Sequence, residues 1–257
     1  MKPLPLAVQL YTVRNQIALD WIDALQRIAD IGYDGIELWF RDWIDVAPLK
    51  RETDAAGLAV VGAHFPFARM REDMTDLARY METLGCTDVA VPAIRPQPTS
   101  SDEWKQAVDE VAEVADRCAE LGMRLSYHCH FDEFDGRVDG AEAFEGIFNT
   151  LGADRVKLEL DTFFAAARGK DVPALLRRFA GRVPLLHVKD WAAGSEDAPA
   201  DTVVGEGVID WPAVLAEAHP AGVEWCIVEQ SSDPDDALAC IARSYDYLTK
   251  LFDELDV

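Results

Sequence analysis

Short apolar runs alternate with longer amphipathic segments along the whole chain, and a glycine stands at most of the junctions. The order of amphipathic segment, glycine and β-branched run occurs seven times, and each run begins two to four residues after its glycine. The glycines are Gly32, Gly57, Gly85, Gly122, Gly152, Gly181 and Gly222. Glycine is favoured directly after a helix because that position often requires a positive φ. The pattern therefore predicts helices that end at these glycines and lead into strands.

The runs after the glycines, together with an opening run, predict eight strands. They cover residues 6–11, 35–39, 59–64, 88–91, 124–128, 156–160, 183–188 and 225–229. Strands that alternate with helices form parallel sheets with right-handed crossovers. Eight such units favour closure into an α/β fold of the (β/α)8 barrel type, with an open doubly wound sheet as the alternative. No linker or low-complexity stretch divides the chain, so we expect residues 1–257 to form one domain.

Two helices carry clear start signals. Ser100 and Glu103 form the sequence pattern of a capping box. Asp20, directly before Trp21, marks the start of the first helix in a similar way. Residues of one predicted helix face follow the capping box at helical spacing, namely Trp104, Ala107, Val108, Val111, Ala115, Cys118 and Ala119.

The composition is that of a globular protein with an acidic surface. Hydrophobic residues make up 49% and charged residues 28% of the 257 residues. The net charge of −23 argues against binding to nucleic acid or to an anionic membrane, since both require a positive surface. A solubilising surface explains this charge, and so does adaptation to a cytoplasm of high salt.

The expected cellular location and the state of the cysteines are inferred from the lack of membrane, signal-peptide and paired-cysteine patterns in the sequence. No apolar run approaches the roughly 20 residues of a membrane helix, and residues 1–5 have neither part of a signal peptide. The five cysteines are odd in number and form no CxxC pair, which predicts small buried side chains and no disulfide framework. We therefore expect a soluble cytoplasmic protein.

Polar residues gather where the predicted strands end. In a barrel, the carboxyl ends of the strands surround one cavity, so these residues are candidates for a functional site. They are Gln9, Glu37, Trp39, His64, His128, His130, Glu133, Asp161, His187, Lys189 and Glu229. Carboxylates and imidazoles in one cavity require a positive partner, and mixed nitrogen and oxygen donors suit one divalent ion of Mn, Co, Zn or Mg. The segment 190–210 after the seventh strand is predicted to be an active-site loop, and Gly205 and Gly207 would let it approach the site.

Five blocks in order resemble one family. They are Tyr127-His128-Cys129-His130, Leu160-Asp161-Thr162, His187-Val188-Lys189-Asp190, the segment from Val204 to Trp211, and Val228-Glu229-Gln230. In this order they resemble the sugar phosphate isomerase/epimerase family of xylose-isomerase-like barrels, whose members include inosose dehydratases and tagatose-type epimerases. The resemblance extends over essentially the whole chain and implies the same TIM-barrel fold.

The resemblance also implies a metal site. The usual ligands of that family are a glutamate from strand five, an aspartate from strand six, a histidine from strand seven and a glutamate from strand eight. Asp161, His187 and Glu229 match three of these positions. For strand five we expect Glu133 to reach back from the loop, with His128 as the alternative ligand or as a substrate contact.

Proton transfer next to a carbonyl is the chemistry that suits such a site. Glu229 and Glu133 are the predicted acid and base on the two sides of the substrate, and Lys189 or His130 is the predicted donor to a leaving oxygen. The first expectation is an isomerase or epimerase of a sugar or keto-sugar, with a dehydratase of an inosose-like cyclic ketone as the alternative. Substrate contacts are predicted from Gln9, Glu37, Trp39, His64, His128 and His130, although hydrogen bonding or plain packing within the barrel also accounts for each of them.

Two other classes of protein are less compatible with the sequence. A phosphodiester hydrolase like endonuclease IV requires more histidine ligands and a basic groove, whereas this chain has five histidines and an excess of acid. A non-catalytic sugar-binding barrel would keep the cavity and lose metal ligands, whereas Asp161, His187 and Glu229 are all present here. The expected partner is a small carbohydrate, and the family resemblance further implies a homo-oligomer.

Overall fold

Eight parallel strands close into a barrel in the computed structural model, which describes residues 3–39, 44–194, 198–232 and 235–255. The strands are Leu6–Gln9 (β1), Gly35–Trp39 (β2), Ala59–His64 (β3), Asp88–Val91 (β4), Arg124–His128 (β5), Lys157–Asp161 (β6), Leu185–Val188 (β7) and Trp225–Val228 (β8). Each strand pairs with its neighbours in chain order, and β1 closes the ring by pairing with β8. The predicted (β/α)8 TIM barrel is confirmed.

Helices connect the strands and form the outer layer. Their bounds are Arg14–Ile31 (α1), Val46–Ala56 (α2), Phe67–Met70 (α3), Thr75–Leu84 (α4), Ser101–Glu120 (α5), Phe131–Asp135 (α6), Ala143–Thr150 (α7), Thr162–Ala166 (α8), Val172–Arg178 (α9), Trp211–Ala221 (α10) and Ala237–Leu255 (α11). No helix within the described ranges is both long enough and apolar enough to cross a bilayer. All five cysteines are buried, as their spacing predicted.

The helix signals in the sequence are mostly confirmed. Ser100 and Glu103 form a complete capping box at the start of α5. Asp20 interrupts α1 with non-helical dihedrals, and its Oδ1 accepts hydrogen bonds from the backbone N–H groups of Ile22 and Asp23. Asp20 therefore starts the main part of α1, after a short preceding segment. Ala119 is exposed, so its predicted place on the buried face of α5 is wrong.

Six of the seven glycines have the positive φ that the pattern predicts. Gly152 is the exception, because α7 ends at Thr150 and the chain continues through Leu151 in an extended conformation. The left-handed cap predicted there is wrong. A hydrogen bond from the N–H of Leu151 to the carbonyl of Ile147 completes this helix end instead.

The barrel interior changes from apolar to polar along its axis. Ala7, Val61, Leu185 and Ile227 form a small apolar cluster inside the barrel. Buried charged and polar side chains lie next to this cluster, closer to the carboxyl ends of the same strands and of the neighbouring strands. The larger apolar core lies between the strands and the helices, and it leaves the carboxyl end of the barrel for polar residues.

Asp190 organises the loop that follows β7. Its carboxylate accepts hydrogen bonds from five N–H groups, which belong to the backbone of Trp191, Gly205, Gly207 and Ile209 and to the indole of Trp211. A Cβ atom at Gly207 would collide with this carboxylate. The glycines thus let the loop wrap around Asp190. Residues 195–197 of the predicted loop lie outside the described residues.

Candidate active site

Three side chains from neighbouring strands meet at the carboxyl end of the barrel. Asp161 ends β6, His187 lies in β7 and Glu229 follows β8. His187 Nδ1 is 3.0 Å from Glu229 Oε2 and 4.0 Å from Asp161 Oδ2. All three side chains are almost fully buried. The structure therefore brings the three predicted ligands of strands six, seven and eight to one point.

His128, the last residue of β5, is the fourth member of this group. Its Nε2 is 4.0 Å from Asp161 Oδ2. One donor atom from each of His128, Asp161, His187 and Glu229 lies within 4.8 Å of the other three. We call these four residues the mouth group. Two imidazoles and two carboxylates form a mixed nitrogen and oxygen donor set that suits Mn²⁺, Co²⁺ or Zn²⁺.

Glu133 lies outside the mouth group, contrary to the ligand and base expected from the sequence. Its Oε1 accepts a hydrogen bond from the hydroxyl of Tyr127 at 2.7 Å, and its Oε2 accepts one from the backbone N–H of His130 at 2.7 Å. Both oxygens are thus engaged in holding the start of α6, where Glu133 is the third helical residue. His128 replaces Glu133 as the strand-five candidate.

One carboxylate oxygen of Asp161 is available to a cation in the mouth group. Its Oδ1 caps α8 by accepting the backbone N–H groups of Phe163 and Phe164 at 2.8 and 3.2 Å. Its Oδ2 is buried and has no hydrogen-bond partner among the described residues. Burial, together with the charge of Glu229, raises the pKa of Asp161 to about 7. A buried acceptor without a partner is costly, and a cation among the mouth group would satisfy it.

Lys189 provides the nearest permanent positive charge. Its Nζ lies 3.0 Å from Glu229 Oε1, 3.3 Å from Asp201 Oδ2 and 2.9 Å from the hydroxyl of Ser231. Burial works against the charge of Lys189, but these carboxylates and Asp161 raise its pKa above the ordinary value. Burial likewise works against the charge of Glu229, but Lys189 and His187 hold the pKa of Glu229 well below its usual range.

A second set of polar residues lies beneath the mouth group, inside the barrel. Glu159 Oε2 is 2.6 Å from His64 Nε2 and 2.8 Å from His128 Nδ1. Glu37 Oε2 is 2.8 Å from His187 Nε2. Neither glutamate has any exposed surface. We call Glu37, Glu159 and His64 the inner group, and it contacts the far sides of both histidines of the mouth group.

The histidines differ in charge because their neighbours differ. Burial works to lower the pKa of His187, but Glu159 and Glu37 raise it well above its ordinary value. Burial and the nearby His187 hold the pKa of His128 well below its ordinary value. Burial and His128 do the same for His130. His128 and His130 are therefore neutral at physiological pH.

A cavity of about 260 Å³ opens above the mouth group. It is lined by Gln9, Tyr11, Trp39, His64, Pro92, His128, His130, Phe164, Lys189, Glu229 and Ser231. Most of the predicted substrate contacts thus line it. Glu37 is fully buried in the inner group. Larger clefts of about 440 and about 480 Å³ lie elsewhere on the surface, but both groups of metal-capable donors lie at this end of the barrel.

Gln9 and Trp39 have partners of their own within the cavity wall. Gln9 donates from Nε2 to Glu37 at 2.7 Å and accepts the backbone N–H of Tyr11 at 3.1 Å. The ring of Trp39 packs edge to face against Tyr11 with centroids 4.9 Å apart. The amide of Gln9 therefore orients Glu37, and the two aromatic rings form an apolar wall of the cavity.

Comparison with known proteins agrees with this geometry. The family described as the xylose isomerase-like TIM barrel matches residues 25–251. This chain belongs to that family. The family resemblance inferred from the sequence is confirmed.

This xylose isomerase-like barrel is similar to several named proteins and solved structures. The chain is 26% identical to an inosose dehydratase of Geobacillus kaustophilus (strain HTA426), covering 87% of this chain and 82% of the relative. It is 29% identical to the rhizopine catabolism protein MocC of Rhizobium meliloti, covering 83% and 68%. A sugar phosphate isomerase/epimerase structure from Parabacteroides distasonis superposes with a TM-score of 0.81 at 20% identity, covering 96% of this chain and 94% of that one. These matches indicate an enzyme of the isomerase/epimerase or dehydratase type.

Three residues of the site were missed in the sequence. Glu159 precedes Asp161 by two residues on β6, and the alternation of side chains along a strand could have identified it as facing the same interior. Asp201 and Ser231 come from loops after β7 and β8. Asp201 falls within the segment 190–210 that was predicted to be an active-site loop. Nothing singled out Asp201 or Ser231 by residue, because only the folded loops bring them to Lys189.

Proposed function

We propose that this protein is a divalent-metal-dependent dehydratase of a cyclic keto-polyol of the inosose type. The observation that carries the proposal is the engagement of Glu133 by Tyr127 and His130, which removes the second carboxylate from the cavity. An epimerase built on two opposed carboxylates loses one of its bases, whereas elimination of water requires one proton carrier beside the substrate. The inosose dehydratase among the relatives supports the same choice.

The mouth group would hold the metal. His128, Asp161, His187 and Glu229 offer its donor atoms, and the unpartnered Oδ2 of Asp161 fits this role. When bound, a divalent ion polarises the substrate carbonyl and makes the neighbouring C–H bond more acidic. Lys189 keeps Glu229 ionised at the edge of the group, because its ammonium lies 3.0 Å from that carboxylate.

His130 is the proton carrier in this proposal. It lines the cavity, it is neutral, and its Nδ1 is buried, which leaves Nε2 to meet a substrate. His130 accepts the proton from the carbon beside the carbonyl, and the C–H electron pair becomes a C=C bond as the C–O bond to the next carbon breaks. The departing hydroxyl then takes that proton from His130 and leaves as water. The aromatic rings of Tyr11 and Trp39 form a cavity wall that would cover one apolar face of the substrate ring.

A second candidate is the isomerase or epimerase first expected from the sequence. One observation favours it. Glu229 follows β8 and His130 follows β5, and three steps separate these strands in the ring of eight. A substrate between them has one proton carrier on each side, which is the arrangement that exchange of a proton on both faces requires.

One experiment separates the two reactions. The enzyme is treated with a chelator, reloaded with Mn²⁺, Co²⁺, Zn²⁺ or Mg²⁺, and incubated in D₂O with inososes and with open-chain keto-sugars. The proposal expects an inosose product lighter by the mass of one water, formed only after metal is added. A product that has lost no water and carries deuterium at the carbon beside the carbonyl would instead establish the isomerase or epimerase.

The residues are tested by a pair of substitutions. Glu229→Gln should abolish turnover while the protein keeps its circular dichroism spectrum, because Glu229 lies at the mouth and not in the packed barrel. Glu113→Gln, on an exposed face of α5, is the matched control and should leave turnover unchanged. Turnover that persists in Glu229→Gln would show that the site is assigned to the wrong residues.

A further inference from the structure

We propose that Glu37 and Glu159 are positioning residues that determine which nitrogen of each ligating histidine faces the metal. The inference rests on the proposed function, since it concerns the same mouth group. His128 and His187 each direct one nitrogen to the mouth group and the other to an inner carboxylate. The two glutamates are fully buried and cannot contact a substrate. Any influence they have on the reaction therefore acts through the imidazoles that they hydrogen-bond.

The distances distinguish the two sides of each ring. His187 Nε2 and His128 Nδ1 both lie 2.8 Å from an inner carboxylate oxygen, which is a hydrogen-bond distance. His187 Nδ1 and His128 Nε2 both lie 4.0 Å from Asp161 Oδ2, which is too far for a hydrogen bond. His187 Nδ1 also lies 3.0 Å from Glu229 Oε2, so it hydrogen-bonds within the mouth group, and an ion held by both residues would replace this contact. The inner side is thus spaced for N–H donors, and the mouth side carries the donor atoms that would face the ion.

A neutral imidazole has one N–H and one lone pair, and the hydrogen bond of the first fixes the direction of the second. An N–H held by Glu159 leaves the lone pair of His128 on Nε2. In the neutral form of His187, an N–H held by Glu37 leaves the lone pair on Nδ1. Both lone pairs then point to the mouth group. A carboxylate behind a ligating histidine also makes it a stronger donor to the metal.

His64 and Glu159 of the inner group, together with His128 and His187, also offer four donor atoms within 4.8 Å of one another. A second ion there, together with one at the mouth, would take both nitrogens of His128 and of His187 and so require each imidazole to lose its last proton. The short contacts already present, 2.6 Å for His64 to Glu159 and 2.8 Å for His128 to Glu159, are those of hydrogen bonds. Positioning therefore agrees with the geometry better than a second ion.

Neighbouring residues hold the inner carboxylates in place. Gln9 donates to Glu37 at 2.7 Å and His64 contacts Glu159 at 2.6 Å. Gly62 leaves the room that Glu37 occupies, because a Cβ atom there would lie 2.8 Å from Glu37 Oε1. The φ of Gly62 is not positive, so alanine at this position would displace the carboxylate without straining the backbone.

Zinc affinity and histidine tautomers test the inference without any substrate. The affinity of the full-length chain for Zn²⁺ is measured by competition with a chromophoric chelator for wild type, Glu37→Gln, Glu159→Gln, Gly62→Ala and the exposed control Glu113→Gln. Loss of one carboxylate should weaken binding by roughly 10- to 100-fold, which is the usual effect of residues behind a metal ligand. Gly62→Ala should weaken it in the same direction, and the control should match wild type.

The tautomers are observed by ¹⁵N NMR of histidine in the Zn²⁺-loaded protein. We expect the proton of His128 on Nδ1 and that of His187 on Nε2, with Glu159→Gln altering the signals of His128 and Glu37→Gln those of His187. Opposite tautomers in wild type, or affinities of both glutamine variants within twofold of wild type, would overturn the inference. Two bound ions in wild type, one of them lost in Glu159→Gln, would overturn it in favour of a second ion site. A wild-type protein that binds no divalent ion would instead overturn the proposed function, and the inference with it.

Discussion

The ammonium group of Lys189 lies 3.0 Å from the carboxylate of Glu229, and both side chains are buried. Removal of Lys189 takes from Glu229 its ammonium partner, and breaking a buried pair in this way typically costs about 3–5 kcal/mol. We expect the metal-free Lys189→Met variant to lose stability of that order in urea unfolding. Added Zn²⁺ should raise the free energy of unfolding of this variant by more than that of wild type, because the ion replaces the lost positive charge.

Lys50 provides the comparison for that variant. It pairs with Asp54 on an exposed face of α2, and exposed pairs contribute only about 0–1 kcal/mol. Lys50→Met should therefore unfold almost as wild type does, with or without the metal. Equal losses in the two variants would mean that Lys189 does not compensate the carboxylates of the site.

The pKa of Asp161, raised by burial to about 7 from an ordinary 3.8, predicts how the stability of the metal-free protein depends on pH. Between these values the native state holds a proton that the unfolded chain releases, so the contribution of Asp161 to the free energy of unfolding falls as pH rises through this window. Asp161→Asn stays neutral and can keep the hydrogen bonds to α8. We expect the metal-free variant to match wild type near pH 4 and to be more stable than wild type at pH 8, by about 1.4 kcal/mol for each unit of pKa shift.

Urea unfolding of both metal-free proteins at the two pH values measures this difference. In wild type, affinity for Zn²⁺ should increase as pH rises towards 8, since binding requires Asp161 to be ionised. Asp161→Asn should bind Zn²⁺ weakly at every pH. A stability difference that is the same at pH 4 and pH 8 would contradict the raised pKa.

His128 and Glu133 compete for the strand-five position in the metal site, and two substitutions decide between them. His128→Ala should lose most of the bound Zn²⁺, because it removes a donor atom of the mouth group. Glu133→Gln should keep full metal occupancy and lose about 1–3 kcal/mol of stability, since its oxygens satisfy Tyr127 and His130. Metal analysis after gel filtration measures occupancy. Loss of metal from Glu133→Gln alone would restore the ligand first expected from the sequence.

Asp190 should matter more for stability than an ordinary helix cap. Asp190→Ala leaves five N–H groups without their acceptor, four of them in the loop backbone, and each buried donor left unpaired costs about 1–3 kcal/mol. Asp210→Ala removes a single cap bond to Ala213, worth about 1 kcal/mol. We expect a much larger fall in thermal stability for Asp190→Ala. Similar falls for both variants would show that the loop does not depend on Asp190.

Local signals predicted the barrel well because strands and helix ends are encoded over a few residues. The predicted bounds of β2, β3, β4 and β5 are those of the structure. The prediction failed at Gly152, where an extended Leu151 takes the place of a left-handed glycine. A glycine permits that conformation without requiring it, so the surrounding packing decided the outcome.

The choice between His128 and Glu133 needed the folded chain. His130 is an unusual residue before a helix, so the hydrogen bond from its backbone N–H to Glu133 has a weak signature in sequence. The hydroxyl of Tyr127 that completes the engagement is available only because β5 and α6 fold back on each other.

The sequence by itself determined the architecture and the strand ends from which Asp161, His187 and Glu229 project, because side-chain alternation and helix termination depend on near neighbours. Tertiary structure alone decided the hydrogen-bond partners of these groups. His187 contacts Glu37 across 150 positions of the chain, and His64 contacts Glu159 across 95. Closure of the barrel excludes water from these pairs, and in a dry interior the charge and proton of each group depend on whichever side chains the fold places beside it.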